Sequence, residues 1–440
     1  MLAGAVLGSG VALLDTTLVN VALPALERSL HTGIEGLQWV VDAYLLFLGA
    51  LMLVGGALGD RFGRRRVFAI GLSFFGGASA VCAAAPTIEW LIAARALQGM
   101  GGALLVPGSL SLLRAVIREE DQGRAIGLWS GLSGVSTAVG PLAGGWLIEV
   151  AGWRVAFVIN LPLVAVALWA LLRSAPESRD ARAPRSIDWP GALLATFGLG
   201  LMAFASIERR NVGLGLLGLV AFVGFVIVER RSAAPMLPMT LFRSPQFSGA
   251  NAVTLGLYFA LSGSVFFLMI ELQRVAGYWP LAAGASLLPI TVLLFLISPL
   301  AGRGIQRFGH RVFMTAGPIA SAAGLAMLTR VGKDAAYWSG VFPGVVVLGL
   351  GVACTVAPLT EAALTAAPPE HAGVASGFNN AVARVAGLLA VALVPGAVGL
   401  PIGPELSPDA FASGFARAMW VCAAAAAVSG GVAFASIDRS

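Results

Sequence analysis

Between Gly55 and Val67 the chain reads GGALGDRFGRRRV. A helix end built from small residues is followed by one acid, one glycine and four arginines, all wedged between two long apolar runs. Upstream, Gln38 to Leu58 holds one acid and no base; downstream, Val67 to Pro86 holds no charge. An α-helix needs about 20 apolar residues to cross a hydrocarbon core of roughly 30 Å. Asp60 to Arg66 is therefore predicted to be a tight turn joining two transmembrane helices. Its arginines assign it to the cytoplasmic side, where short loops collect Lys and Arg.

Composition extends this reading to the whole chain. Hydrophobic residues make up 58% and charged residues 11%, with mean hydropathy +0.87, whereas a soluble domain carries about 25% charge. This is the composition of an all-α polytopic membrane protein. The net charge of +6 does not point to nucleic acid, because no basic run is long enough to form a binding face; the bases read as topology signals. Cys82, Cys354 and Cys422 all fall inside apolar runs, so neither a disulfide framework nor a metal site is expected. The first apolar run contains Asp15 and has no base before Arg28, which is unlike a cleavable signal peptide. It starts almost at Met1, so a short cytoplasmic lead is expected ahead of it, missing here or lost to a late start.

Fourteen spans are predicted, at about 3–26, 37–59, 67–86, 89–113, 125–149, 155–173, 189–207, 212–229, 247–273, 282–302, 312–330, 339–366, 372–398 and 410–436. With the Asp60 turn inside, 18 of the 28 Lys and Arg are cytoplasmic, seven are outside, and Arg95, Arg384 and Arg417 lie within spans. The reverse orientation inverts this bias and is rejected. Both termini are then cytoplasmic.

The chain repeats itself. Arg61-Phe62-Gly63-Arg64-Arg65 returns as Arg307-Phe308-Gly309-His310-Arg311, and Gly127-x-x-Ser130-Gly131 returns as Gly373-x-x-Ser376-Gly377, both at an offset of 246. Two echoes at one spacing imply two six-helix halves, 1–173 and 231–440. A basic cytoplasmic linker and two inserted helices occupy 174–230. Repeated halves in a membrane suggest a transporter that alternates access about a midplane site.

These residues carry a family resemblance. Gly56-Ala57-Leu58-Gly59-Asp60-Arg61-Phe62-Gly63-Arg64-Arg65 resembles the signature between helices two and three of the major facilitator superfamily, and Arg95-Ala-Leu-Gln98-Gly99-Met-Gly101 resembles its fourth-helix motif. Gly131-Leu-Ser-Gly134 through Gly140-Pro141-Leu-Ala-Gly144-Gly145 is similar to the fifth-helix motif of antiporters. Leu14-Asp15-Thr16-Thr17 through Pro24, with Trp153-Arg154 and Ile159-Asn160-Leu-Pro162, resembles the fourteen-helix drug:proton antiporter branch, of the quaternary ammonium and multidrug efflux type. The second half departs from the pattern, with Gln306 in place of the turn acid and no Gly-Pro at Ala386-Gly387. The resemblance implies a major facilitator fold and proton chemistry centred on the first half.

Asp15 lies near mid-membrane, where an ionised carboxylate is expensive unless a cation or a water-filled cavity faces it. That suits a proton-exchange site; a buried Asp bonded to Thr16, Thr17 or Asn20 is the structural alternative. Asp42 sits about one turn into the second span from outside. The resemblance links its Trp-Val-x-Asp-x-Tyr context to exporters of lipophilic cations, with Trp39 and Tyr44 available for cation–π contact. The alternative is an interfacial Asp solvated by headgroups. Arg95 cannot itself relay a proton, but it can tune a nearby carboxylate, with Gln98 one turn on; a purely structural Arg bonded to carbonyls is the alternative.

In the turn, Gly63 allows a sharp reversal, and Asp60 is expected to latch the protein by pairing with Arg114 or Arg118, or by capping a helix of the second half. Gly56, Arg61, Arg64 and Arg65 complete that latch; the alternative is arginines that merely orient the chain. The glycines of the fifth span let a neighbouring helix approach closely, and Pro141 favours a kink. In the second half, Glu271 is an interfacial partner of Arg274 or a substrate contact. Glu361 is a cavity carboxylate or a cap at the Pro368-Pro369 turn. Asn379, Asn380 and Arg384 are expected to share one helix face as a polar stripe lining the cavity.

No phosphate loop, nucleophile elbow or His/Cys cluster is present in the sequence, so no enzyme activity and no cofactor are expected, and the energy source is an ion gradient. One proton falling through 100 mV supplies roughly 2.3 kcal/mol, and each pH unit adds about 1.4 kcal/mol. The expected function is proton-coupled efflux of amphipathic, cationic small molecules by a monomer in a bacterial cytoplasmic membrane. Export of an endogenous metabolite or self-made antibiotic is the alternative, ahead of a membrane sensor or an uptake symporter.

Overall fold

The computed structural model describes residues 2–116, 140–179, 188–209, 211–232, 235–333, 335–368, 371–400 and 407–438. Among these every regular element is helical. The first half contains α1 (Leu2–Leu30), α2 (Ile34–Phe62), α3 (Arg64–Ala84), α4 (Ile88–Val116), α5 (140–151), α6 (Val155–Val158) and α7 (Asn160–Ser174). The pair expected to be inserted forms α8 (Trp189–Glu208) and α9 (Val212–Arg231). A 3₁₀ turn at Met239–Arg243 leads to α10 (Pro245–Arg274), α11 (Pro280–Ser286), α12 (Leu288–Leu328), α13 (Phe342–Thr365), α14 (Ala372–Ala397) and α15 (Pro408–Ser436).

Twelve helical stretches among the described residues are long and apolar enough to cross a membrane. Two differences account for the gap from fourteen. Most of the span expected at 125–149 lies outside the described residues. The spans expected at 282–302 and 312–330 run together as one 49-residue stretch, Pro280–Leu328, more than twice what one crossing needs. Inside it, Gly309 leaves helical geometry at φ 73°, ψ 165°.

Gly309 has a counterpart in Gly63, whose φ of 112° is also in the region that only glycine adopts without strain. The two sit at the repeat offset, so the internal repeat is visible in the backbone as well as in the residues. The first turn is tighter than predicted: α2 runs to Phe62 and α3 starts at Arg64, leaving one non-helical residue.

The chain divides into two compact units, one of Met1–Thr32 with Gly36–Pro238, the other of Met239–Ser440 with Gly33–Glu35. Within the first, α4 is pressed against its neighbours. A Cβ on Gly101 would stand 2.8 Å from the Phe75 nitrogen of α3, and one on Gly99 2.5 Å from the Tyr44 carbonyl oxygen of α2. Helices α8 and α9 belong to this unit: Trp39 of α2 meets Phe204 of α8 at 5.9 Å between rings, and its indole N–H donates to Glu208 at 3.3 Å. In the second unit, Ala250, Val253, Met314, Leu359, Ala362, Ala363, Ala433 and Ile437 form a buried cluster. Large apolar side chains such as Ile70, Trp169, Phe197, Val220, Phe295 and Trp338 stand exposed, the surface that hydrocarbon rather than water demands.

Candidate functional site

Four helices of the first unit deliver polar side chains to one buried point. Asp15 of α1 is ion-paired with Arg95 of α4. Its other oxygen accepts from Gln98 Nε2 and from Asn160 Nδ2, each at 2.8 Å. Gln98 also accepts from Arg95 at 2.7 Å and donates to Ser79 of α3 at 2.8 Å. Asp15, Gln98, Asn160 and Ser79 are fully buried, and Arg95 is 1% exposed. A buried carboxylate with one cationic and two amide donors is satisfied; removing its cation strands a charge and costs about 3–5 kcal/mol.

The placement follows from helix periodicity. Arg95 and Gln98 are three residues apart on one face of α4, and the glycines at 99 and 101 bring that face close to α2 and α3. Arg95 Nε donates to the Val40 carbonyl at 3.0 Å, and its guanidinium lies over the Tyr44 ring at 4.2 Å and Phe157 at 5.9 Å. Tyr44 in turn donates to the Ala12 carbonyl at 3.2 Å. The structural alternative for Asp15 is corrected: Thr16, Thr17 and Asn20 all bond to the backbone of their own helix, so the partners of Asp15 come from other helices.

Asp42 is the opposite case. It is fully buried, and neither carboxylate oxygen has a hydrogen-bond partner. Val40 and Tyr44 share the face of α2 that meets Arg95, and Asp42, two residues from each, points about 200° round the helix from them. The burial of Asp42 excludes the headgroup solvation given as the alternative. The Tyr44 ring is held by Arg95, and Trp39 by Phe204 and Glu208.

Asp60 pairs with Arg64 one turn on, at 2.8 Å; the Arg114 side chain and Arg118 lie outside the described residues. Arg65 donates to the Leu172 carbonyl at 2.8 Å, and Arg61 lies over the Phe62 ring at 4.9 Å. Glu177, unmarked in the sequence reading, caps α3 by accepting the backbone N–H groups of Arg65 at 3.1 Å and Arg66 at 3.2 Å. Arg65, Arg66 and Glu177 edge an open groove of about 730 Å³ floored by Ala69, Ile70, Phe74, Leu168 and Leu172. None of the Asp15 cluster lines it. Gly56 packs toward Pro107 of α4.

Of the fifth-span motif, Gly131 and Gly134 fall outside the described residues. Pro141 and Gly145 are buried. Gly140 faces Thr17 and Leu14, and Gly144 faces Leu18. The motif's second half thus packs on α1 beside Asp15.

The second-unit residues do not converge. Glu271 is fully buried with both oxygens lacking a hydrogen-bond partner, which replaces the interfacial placement. Glu361 is half exposed and lies 4.0 Å from His310 in the second-half turn; Pro369, part of the turn it was expected to cap, lies outside the described residues. The expected stripe splits: Asn379 is buried and donates to Asn251 at 3.1 Å and Thr254 at 2.7 Å, whereas Asn380 is exposed and bonds the Ser376 carbonyl of its own helix. Consecutive residues diverge by about 100° on a helix, which spacing from Arg384 alone concealed. Arg384 is half-buried, with no hydrogen-bond partner at Nε.

Ser79 and Asn160 complete the cluster. Asn160 stands out as a lone amide between apolar runs, but Ser79 carried no signal, since small hydroxyls are common in packed membrane helices. Among the described residues no group of three metal-ligating side chains occurs, and the three cysteines are unpaired.

Long apolar helices with a buried ion pair among them and large apolar side chains exposed define a multi-span membrane protein. The chain belongs to the Major Facilitator Superfamily, whose model matches residues 5–391. It is 38% identical over 395 residues to a puromycin resistance protein of Streptomyces alboniger, covering 87% of this chain and 78% of that one. It is 36% identical over 411 residues to the multidrug resistance protein Stp of Mycobacterium tuberculosis, covering 91% and 76%. Against the tetracenomycin C resistance and export protein of Streptomyces glaucescens it is 33% identical over 412 residues, covering 91% and 75%. The fold is shared with the POT family transporter PepTSo, at TM-score 0.73 and 16% identity over 98% of this chain and 96% of that one. Its relatives are export and resistance proteins; the chain is a transporter, not an enzyme.

Proposed function

We propose that this protein is a proton-coupled exporter of amphipathic, cationic small molecules, with Asp15, Arg95 and Asp42 as the coupling residues. The observation that carries the reading is the pairing, within one unit, of a buried acid fully supplied with donors and a buried acid supplied with none. An ionised carboxylate buried without a partner costs several kcal/mol, and an arriving proton or organic cation removes that cost. Asp42 is then where a proton and a cationic substrate compete. Asp15, through Arg95 and Tyr44, ties α1, α2 and α4 into the element that responds.

The chain works by alternating access as a monomer of the fourteen-span branch. Two six-helix bundles, 1–173 and 231–440, flank the inserted 174–230 segment, with both termini cytoplasmic in a bacterial cytoplasmic membrane and the proton gradient as the only energy source. The test is drug-driven proton movement in inverted vesicles. Ethidium or benzalkonium is expected to dissipate a preformed pH gradient, with loss of the response in Asp15→Asn and a loss confined mainly to cations in Asp42→Asn. No response to any lipophilic cation would remove the cationic-substrate reading. Export of a self-made antibiotic is the second reading, favoured by the relative named for tetracenomycin C resistance and export; it predicts that Asp42 is dispensable.

A further inference from the structure

The inserted helices carry a second pair of buried acids, unconnected with the Asp15 cluster. Asp188 stands just before α8, and its Oδ1 accepts the N–H of Gly191 at 2.9 Å. Glu229 stands in the last turn of α9, and its Oε2 accepts the N–H of Leu237 at 3.1 Å. Each carboxyl thus uses one oxygen to hold backbone. The other oxygens, Asp188 Oδ2 and Glu229 Oε1, are buried with no hydrogen-bond partner, on residues only 8% and 2% exposed.

Those two oxygens converge. A Cβ on Gly191 would lie 2.8 Å from Asp188 Oδ2 and 3.2 Å from Glu229 Oε1, so they flank one glycine and stand no more than about 6 Å apart. Two buried like charges at that range cannot both be ionised cheaply. A single proton between them ends the repulsion and, as an O–H···O bond, gives both oxygens a partner. The N-terminus of α8 favours the one negative charge that remains. Among the described residues, the other charges beside the two acids on these segments are Arg230 and Arg231, both exposed; Arg182 and Arg185, ahead of Asp188, lie outside the described residues. Glu208 and Arg209 lie at the far end of α8, and the 235–238 connector carries no charge.

We propose that Asp188 and Glu229 form a proton-binding site that holds one proton between the two carboxyls and, while occupied, clasps the start of α8, the end of α9 and the connector at Leu237. Loss of that proton leaves two facing carboxylates, whose repulsion works against the Glu229 bond to Leu237, the link that bridges two separate segments. The inserted pair is then a proton-responsive clasp on the chain that leads into the second unit, independent of export.

The test uses purified full-length protein in lipid without substrate, so its outcome does not depend on the exporter reading. Infrared difference spectra through a pH titration, taken in an Asp42→Asn/Glu271→Gln background that silences the two other unpartnered buried acids, are expected to show one protonated-carboxyl band that is lost in both Asp188→Asn and Glu229→Gln, because the proton is shared. Gly191→Ala, which drives a methyl between the acids, is expected to abolish the same band. Hydrogen exchange at 235–243, with the intrinsic base catalysis of amide exchange divided out, should lose protection as pH rises in the native chain and keep a pH-independent protection in Glu229→Gln. A band that survives in either single variant, or exchange whose pH response is unchanged by Glu229→Gln, would overturn the proposal.

Discussion

Asp15 and Asp42 are both aspartates in the first unit, both inside apolar helices and both fully buried, yet they are opposites electrostatically. Asp15 receives donors from α4 and from Asn160 at the start of α7; Asp42 receives none. Burial therefore does not define the role of a membrane carboxylate; its supply of donors does. A satisfied acid holds helices in register, and an unsatisfied one holds a cost that a proton or a cation can remove.

The sharpest way to break this contrast is to remove the cation from the satisfied side. Arg95→Ala leaves Asp15 without its counter-charge and is expected to lose about 3–5 kcal/mol of stability, read as thermal unfolding in detergent. Adding Asp15→Asn should restore much of it, since the stranded charge is gone. If the double variant is no more stable than the single, the ion pair does not hold the cluster together. On the other side, Asp42→Asn is expected to leave unfolding unchanged or delayed while ethidium-driven proton movement fails. A destabilisation as large as that of Arg95→Ala would erase the distinction.

Smaller effects sharpen the geometry around the pair. Gly101→Ala puts a methyl where the Phe75 backbone stands and should cost about 1–3 kcal/mol through forced separation of α3 and α4; an unaltered melting curve would mean that this contact is looser than described. Glu177→Ala removes the cap on α3 and is expected to cost about 1 kcal/mol. That loss should appear as faster hydrogen exchange at Arg65 and Arg66, with the Asp15 cluster unaffected.

Much of this was legible beforehand, and for identifiable reasons. Apolar runs of about 20 residues determine helices in a membrane because backbone polar groups must be satisfied locally, and a glycine with positive φ follows from Gly63 and Gly309 standing between such runs. Asp15 and Arg95 were legible as candidates because charge is conspicuous in hydrocarbon, and Gln98 because it is polar and one turn from Arg95. Their mutual pairing was not, since it joins residues 80 and 83 positions apart across separate helices.

Asp42 looked, from Trp39 and Tyr44 nearby, like an aromatic-lined site. Only the packing of α2 showed that both rings are engaged elsewhere. Glu177, Asp188 and Glu229 lie at helix ends next to arginines, where an acid reads as one more surface charge; their roles depend on which backbone amides the fold brings within reach.

The sequence by itself determined the membrane class, the helices, the repeat and the family, because each rests on local apolar length or on contiguous motifs. The tertiary structure decided which acids are satisfied and which are not. That depends on the rotation of each helix about its axis and on close approaches between helices, such as those at Gly99 and Gly101. These are set by packing between distant segments, and no local pattern encodes them.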